Sequence, residues 1–439
     1  DRDVTGVQTC ALPISKMKPS GIEWIGEIPE GWDISKVKYF YETQLGKMLQ
    51  PSQKNNNETL EKYLCSFNIT WDGINQSEIK EMWFSEREKK IFSIKRGDLL
   101  VSEGGDAGRA CICDIDFPCY IQNAVHRVRA RENAINKYLY YWLYVLKAIG
   151  YIDLLCNKAT IMHFTQDKML NIDIPIPPID VQHQIADYLD QKCGDIDKII
   201  FAKHRQNELL KEQRQSIIYE AVTKGLDKNV PYKDSYIEWI GEIPEDWEIC
   251  KIKYICDIDK NRLSENTDEK FLFNYIDISS ITELGGIGET IRMSFKESPS
   301  RARMVVSKND IIISTVRTYL RAIAFITEND KYICSTGFAV LTPKDNLYSK
   351  FAFYQVQSEY IVQEIVRRSV GVSYPAITST ALSNISLIIP PLPTQRVMAD
   401  YLDQKCADID RIINTNNDMI EKLKEYRQSI VYEAVTGKI

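Results

Sequence analysis

The chain has 439 residues, 26% of them charged, and a formal net charge of −6. That length allows two to four domains with cores of their own, and the acidic balance means that any nucleic-acid face must be a local concentration of Lys and Arg. Eleven cysteines without a CxxC pair fit a cytoplasmic protein whose thiols act as small hydrophobes, and the most apolar stretch, residues 140–155, is broken by Lys147 and Asp153, which excludes a membrane span there.

Taken in chain order, residues 1–16 are expected to be a non-native leader. Within them VTGVQTCALPI resembles the in-frame translation of a sequencing-library adaptor, the native start being Met17 or lost upstream. This segment is expected to pack against nothing. Residues 22–32 then read IEWIGEIPEGW, and residues 237–247 repeat them at ten of eleven positions. ADYLDQKC recurs at 186–193 and 399–406, and RQSIIYEAVT at 214–223 returns as RQSIVYEAVT at 427–436. The segments between these ends do not repeat. Matched ends around divergent middles imply one scaffold carrying two different contents.

Each middle opens with strand-like runs: YLCSFNI at 63–69 and DLLVS at 98–102 in the first copy, YIDISSI at 275–281 and DIIIS at 310–314 in the second. β-Branched content behind Gly97 and Asn309 predicts strand after turn. Residues 138–155 and 350–368 have helical spacing of apolar side chains. The Pro-rich exits IPIPPI (174–179) and IIPPLP (388–393) mark boundaries, since proline neither continues a helix nor donates to a sheet. The expected organisation is a first variable domain at 17–179, a helical region at 180–230, a second variable domain at 231–392 and a second helical region at 393–439.

Asp180 and Thr394 are expected to cap the two helices. A heptad frame follows, with Ile196, Ile200, Leu210, Ile217 and Ala221 answering Ile409, Ile413, Ile420, Leu423, Ile430 and Ala434, interrupted by Lys203, Asn207, Arg214, Asn416 and Arg427. A narrow stripe with polar breaks suits two helices packing mainly on each other, the alternative being that each covers its own domain. Residues 181–225 carry seven acidic and seven basic side chains, so the helices are poor grips for phosphate. At about 30 residues each would span roughly 45 Å, on the order of 13 base pairs, as a ruler does.

The layout IEWIGEIPxxW, divergent segment, IPxPPxxxQxxIADYLDQK and RQSIxYEAVTxG, stated twice, resembles the specificity subunit of type I restriction-modification systems over nearly the whole chain. Copy two departs only slightly, with Arg396 and Met398 where copy one has His183 and Ile185. The resemblance implies an α+β fold. Two target recognition domains, each with a small β-sheet, would be separated and joined by two long helices in an antiparallel coiled coil. It also implies double-stranded DNA as ligand, read as a bipartite asymmetric sequence, with two methyltransferase subunits as partners and restriction subunits able to join. S-adenosylmethionine, ATP and Mg would sit on those partners, and this chain would bind no cofactor.

Catalytic signatures are missing from the sequence. No (N/D/S)PP(Y/F/W) loop for a flipped base occurs, and SEGGDAG at 102–108 lacks dinucleotide or P-loop spacing, leaving an ordinary or DNA-contacting loop. Cys111, Cys113 and Cys119 with His126 lack zinc spacing, so no metal is expected. Base readout calls for Arg, Lys, Asn and Gln with aromatics nearby. The candidates in the first copy are Arg87, Lys89, Lys90, Lys95, Arg96, Arg109, Gln122, Asn123, Arg127 and Arg129. In the second they are Arg292, Arg301, Arg303, Arg317, Tyr319, Arg321, Arg367, Arg368 and Tyr374. A DNA-recognition chain without chemistry of its own is the leading reading; a self-sufficient methyltransferase or nuclease with unfamiliar motifs, or a coiled-coil protein-binding scaffold, remain as alternatives.

Overall fold

The computed structural model describes residues 16–156, 163–237, 240–282, 284–328 and 330–439, so the leader segment 4–14 lies outside it. The chain divides into two compact units, Asp1–Ala202 with Met419–Ile439 and Lys203–Asp418. Both combine strands and helices, the α+β class expected.

In the first unit a four-stranded antiparallel sheet runs in the order Ala110–Ile112, Leu99–Ser102, Val125–Ala130, Tyr41–Leu45. The DLLVS run is apolar throughout because both of its faces are covered: Leu99 and Val101 point into the core under helix Asn136–Ala148, while Leu100 points into a second core with Cys111 and Cys113. A three-stranded sheet, Tyr120–Ile121, Glu58–Leu64 and Lys80–Ser85, and three two-stranded pairs accompany it. The second unit repeats the first sheet as Cys256–Ile258, Phe338–Pro343, Ile311–Ser314 and Ile323–Phe325, with Ile311 and Ile313 on one face and Ile312 on the other. Its second large sheet has four strands, Ile291–Ser294, Leu272–Ile276, Tyr332–Ser335 and Ala302–Val306, beside two two-stranded pairs. The scaffold sheet is therefore common to both copies, and the second sheet is where they diverge.

The helical stretches expected at 138–155 and 350–368 are each broken in two. Gly150, at φ +75°, lies between Asn136–Ala148 and Tyr151–Leu155 and breaks the helix there. Ser358, in an extended conformation, separates Ser349–Gln357 from Glu359–Arg367.

The repeated motifs explain themselves in contacts. Gln182 is fully buried and its amide donates to the carbonyls of Asn133 (3.0 Å) and Pro177 (2.9 Å) while accepting from the Ile135 N–H. Gln395 makes the same three bonds to Asn346, Pro390 and Tyr348. Each glutamine thus ties one carbonyl of the Pro-rich exit to the turn that precedes the domain helix. Asp190 of ADYLDQK accepts from the Tyr141 hydroxyl at 2.7 Å and pairs with Lys137; Asp403 does so with Tyr354 at 2.8 Å and Lys350.

The two long helices are Ile179–Lys224, of 46 residues, and Leu392–Val435, of 44. They exceed the 30 residues expected, because the helix begins directly at the proline boundary and runs unbroken through ADYLDQK into the heptad stretch. Asp180 and Thr394 consequently sit inside the first turn and do not cap it. Of the seam, Ile196, Ala221, Ile409, Ile413, Ile420, Ile430 and Ala434 are buried, while Ile200, Leu210, Ile217 and Leu423 are half-buried.

Within the second unit the helices run antiparallel: Lys203 donates to Asn416 (3.0 Å), Asn207 exchanges bonds with Asn416 and Asn417 (2.8 and 2.9 Å), and Arg214 reaches Asp410 (3.1 Å). In the first unit the repeat-equivalent pair forms with the chain roles exchanged, Arg427 on Asp197 at 3.2 Å. The helix ends also cover domain cores. Ile185, Leu189, Cys193 and Ile196 join Ile430, Val431, Ala434 and Val435 beneath Trp32 in the first unit. Ile218, Ala221 and Val222 join Met398, Leu402 and Cys406 beneath Trp247 in the second.

Candidate nucleic-acid interface

Arg87, Lys89 and Lys90 lie on the helix Glu86–Phe92, started by a reciprocal capping box between Ser85 and Glu88. Arg87 and Lys90 are exposed, whereas Lys89 bridges Glu61 (3.3 Å) and Glu86 (2.5 Å). Burial pushes the Glu88 carboxyl up, but bonds from Lys47 and Ser85 outweigh it and hold it below the usual range. Lys95 and Arg96 occupy the exposed turn before Leu99–Ser102, Arg96 facing Asp116 at 3.1 Å.

Arg127 and Arg129 serve that turn from the strand beside it. Arg127 donates to the carbonyls of Ile91 and Ser93, and Arg129 grips buried Asp98 through two bonds of 2.7 and 2.8 Å. A bidentate fork on a carboxylate leaves a guanidinium little to offer a base. Arg109 donates to the Ser66 carbonyl at 2.9 Å, and Gln122 donates to Asn123. The SEGGDAG loop is closed by its own bonds, Ser102 hydroxyl to Gly104 carbonyl and Gly108 N–H to Ser102 carbonyl, both 2.8 Å. A Cβ on Gly108 would stand 2.7 Å from Ile152, so close packing accounts for that glycine.

In the second unit Arg303 lies 4.7 Å over the Phe295 ring and Arg321 forks onto Glu359 at 2.6 and 2.9 Å. Arg367 and Arg368 converge on buried Glu364, and the two guanidiniums, against the upward push of burial, hold its carboxyl below the usual range. Arg292 and Arg301 are exposed, and among the described residues no carboxylate pairs with either. Arg317 lies 4.6 Å over the Tyr374 ring, with Tyr374 and Tyr319 exposed. The structure thus brings Arg317 and Tyr374 together and sets Arg321, Arg367 and Arg368 against acids.

Residue type alone missed Asp98, Glu359 and Glu364, the carboxylates that neutralise candidate arginines. Only Glu364 carried a local signal, its spacing of three and four from Arg367 and Arg368 on one helix. Cys111, Cys113 and Cys119 sit in an apolar core where burial pushes their thiols up, and among the described residues no group of His, Cys, Asp and Glu could hold a metal ion. No described helix is long and apolar enough to cross a membrane.

The model of the type I restriction modification DNA specificity domain matches residues 29–211 and again 244–422. The chain belongs to that family. It carries the specificity domain twice, each copy holding a target recognition domain, and membership leaves the self-sufficient enzyme and the protein-binding scaffold without support. The specificity chain is 24% identical over 422 residues to the type I restriction enzyme MjaVIII specificity subunit of Methanocaldococcus jannaschii, covering 94% of each. It is 22% identical to the EcoBI specificity subunit of Escherichia coli, over 85% of this chain and 81% of that one. A solved chain described for complex assembly and conformational transition of the type I R-M system superposes with a TM-score of 0.69. It covers 94% of the specificity chain and 99% of its own length at 16% identity, a likeness of fold.

Proposed function

We propose that the specificity chain reads a bipartite, asymmetric sequence in double-stranded DNA, one half through each variable segment, and docks two methyltransferase subunits that modify adenine within the target. Restriction subunits can join that complex. The chain has no chemistry of its own; S-adenosylmethionine, ATP and Mg belong to its partners, and the assembly works in the cytoplasm.

The observation that carries this reading is the contrast between what the copies share and what they do not. Helices, glutamine clasps and the first sheet are matched, while the loop that follows the fully buried strand is SEGGDAGR in one copy and STVRTYLR in the other. Identical frames with different loops suit two different half-sites. Arginine contacts to guanine supply sequence preference, and phosphate contacts supply salt-sensitive affinity without it.

The test is methylome sequencing of cells expressing the full chain with its methyltransferase partner. A gapped, asymmetric methylated motif is expected, absent when either protein is omitted. Methyl transfer by the purified chain alone, or a continuous ungapped motif, would overturn the reading.

A further inference from the structure

The loop 315–321 leaves the strand Ile311–Ser314 and is tied to the segment 369–376. Arg317 N–H donates to the Pro375 carbonyl at 2.8 Å, the Thr318 and Ser369 hydroxyls meet at 2.8 Å, and Val316 bridges Ala376. Two residues in this loop, Arg317 (φ +52°) and Arg321 (φ +54°), occupy the left-handed region. In the first unit the corresponding loop has Gly105 (φ +73°) at the position of Arg317, and its second left-handed residue, Gly108 (φ +83°), stands one place before the counterpart of Arg321. Glycine takes that conformation without strain and arginine does not, so a left-handed arginine points to a use for its side chain.

The uses differ. Arg321 is spent on Glu359. Arg317 has no carboxylate among the described residues; its guanidinium lies on Tyr374 instead. Around it stand apolar side chains that water would not favour, Val370 at 80% exposure, Val372 at 101%, Tyr374 at 62% and Tyr319 at 52%. A flat, uncompensated, pre-oriented guanidinium in an exposed apolar surround is what recognition of a planar acceptor pair requires.

Resting on the function proposed above, we infer that Arg317 reads the O6/N7 edge of a guanine in the half-site assigned to the second copy, with Tyr374 as the positioning residue that holds the fork. Stacking removes rotamer freedom before binding, so less is lost when both hydrogen bonds form. The first copy, with Gly105 at the position of Arg317, has no equivalent reader there, and its half-site is recognised by other side chains.

The test uses the full chain with its methyltransferase partner and compares the methylated motif and competition binding for the parent, Arg317→Gly, Arg317→Lys and Tyr374→Ala. Arg317→Gly relieves the backbone, so its thermal midpoint should equal or exceed the parent's. Its motif should become degenerate at one base pair of one half, with discrimination there falling by about tenfold to a hundredfold. Arg317→Lys keeps the charge and the salt dependence but should lose the same discrimination, which keeps the test open should the glycine variant not fold. Tyr374→Ala should lose part of it. An unchanged motif overturns the inference. So does uniform weakening on all sequences with a salt slope smaller by about one, the mark of a phosphate contact. A parent that yields no two-part motif sinks the functional reading first, and the inference with it.

Discussion

His126 shows how burial alone sets a side chain's chemistry. It is fully buried on the strand Val125–Ala130, its Nε2–H donates to the Phe164 carbonyl at 3.2 Å, and its Nδ1 has no partner among the described residues. Burial lowers its pKa from 6.5 to about 4, outweighing the hydrogen bond. Between those values the unfolded chain takes up a proton that the folded chain refuses, so stability is complete above pH 6.5 and falls with pH through the window, by up to about 3 kcal/mol. Denaturant midpoints of the parent and His126→Gln, compared from pH 7 to 4, should diverge with the parent more acid-sensitive. Parallel curves would refute the assignment. The arginines make a related point. Their abundance was legible in the sequence, but whether each was free was not. What faces each decides it: Asp98, 31 positions away, for Arg129, and the ring of Tyr374 for Arg317.

At the scale of an element, the long helices were legible because a repeat of seven is a local pattern. The polar breaks in that pattern turn out to be a layer: Asn207, Asn416, Asn417, Gln206 and Lys203 bond across the pair in the second unit, with Asn207 and Asn416 buried. Side-chain amides in a seam fix register at some loss of stability. Replacing both Asn207→Leu and Asn416→Leu should therefore raise the thermal stability of the second unit by about 1 kcal/mol. The distance distribution between spin labels at Arg205 and Asp418 should broaden at the same time. A single sharp distance, or a fall in stability, would show that the layer does not set register. The ion pairs flanking it differ in kind: burial raises the pKa of both Asp197 and Asp410 even with Arg427 and Arg214 beside them, so these pairs orient the helices more than they stabilise them.

At the scale of the whole molecule, the duplication is not two copies folded in series. The first unit includes Met419–Ile439, and its core is closed by Ile430, Val431, Ala434 and Val435 against Ile25, Ile28 and Trp32. The Tyr432 hydroxyl donates to the Trp24 carbonyl at 2.9 Å. Deleting residues 419–439 should thus damage the sequence-distant first unit. Amide exchange should speed up in Leu99–Ser102 and Val125–Ala130 while Ile311–Ser314 and Phe338–Pro343 keep their protection. Loss of protection in the second unit instead would contradict this division.

By itself the sequence determined the duplication, the strands at 98–102 and 310–314, and the long helices with their heptad stripe, and through the family resemblance it implied the α+β class. The duplication shows by direct comparison of the chain with itself, and the strands and helices depend on periodicity within a few turns of chain, where local backbone and burial energies act. Only the tertiary structure decided that the last helix closes the first unit, that Gln182 and Gln395 clasp the proline boundaries, and that Arg317 is free where Arg129 and Arg321 are neutralised. Those outcomes turn on which residues meet across tens to hundreds of intervening positions, and Coulomb and packing energies depend on that distance in space, which no spacing along the chain encodes.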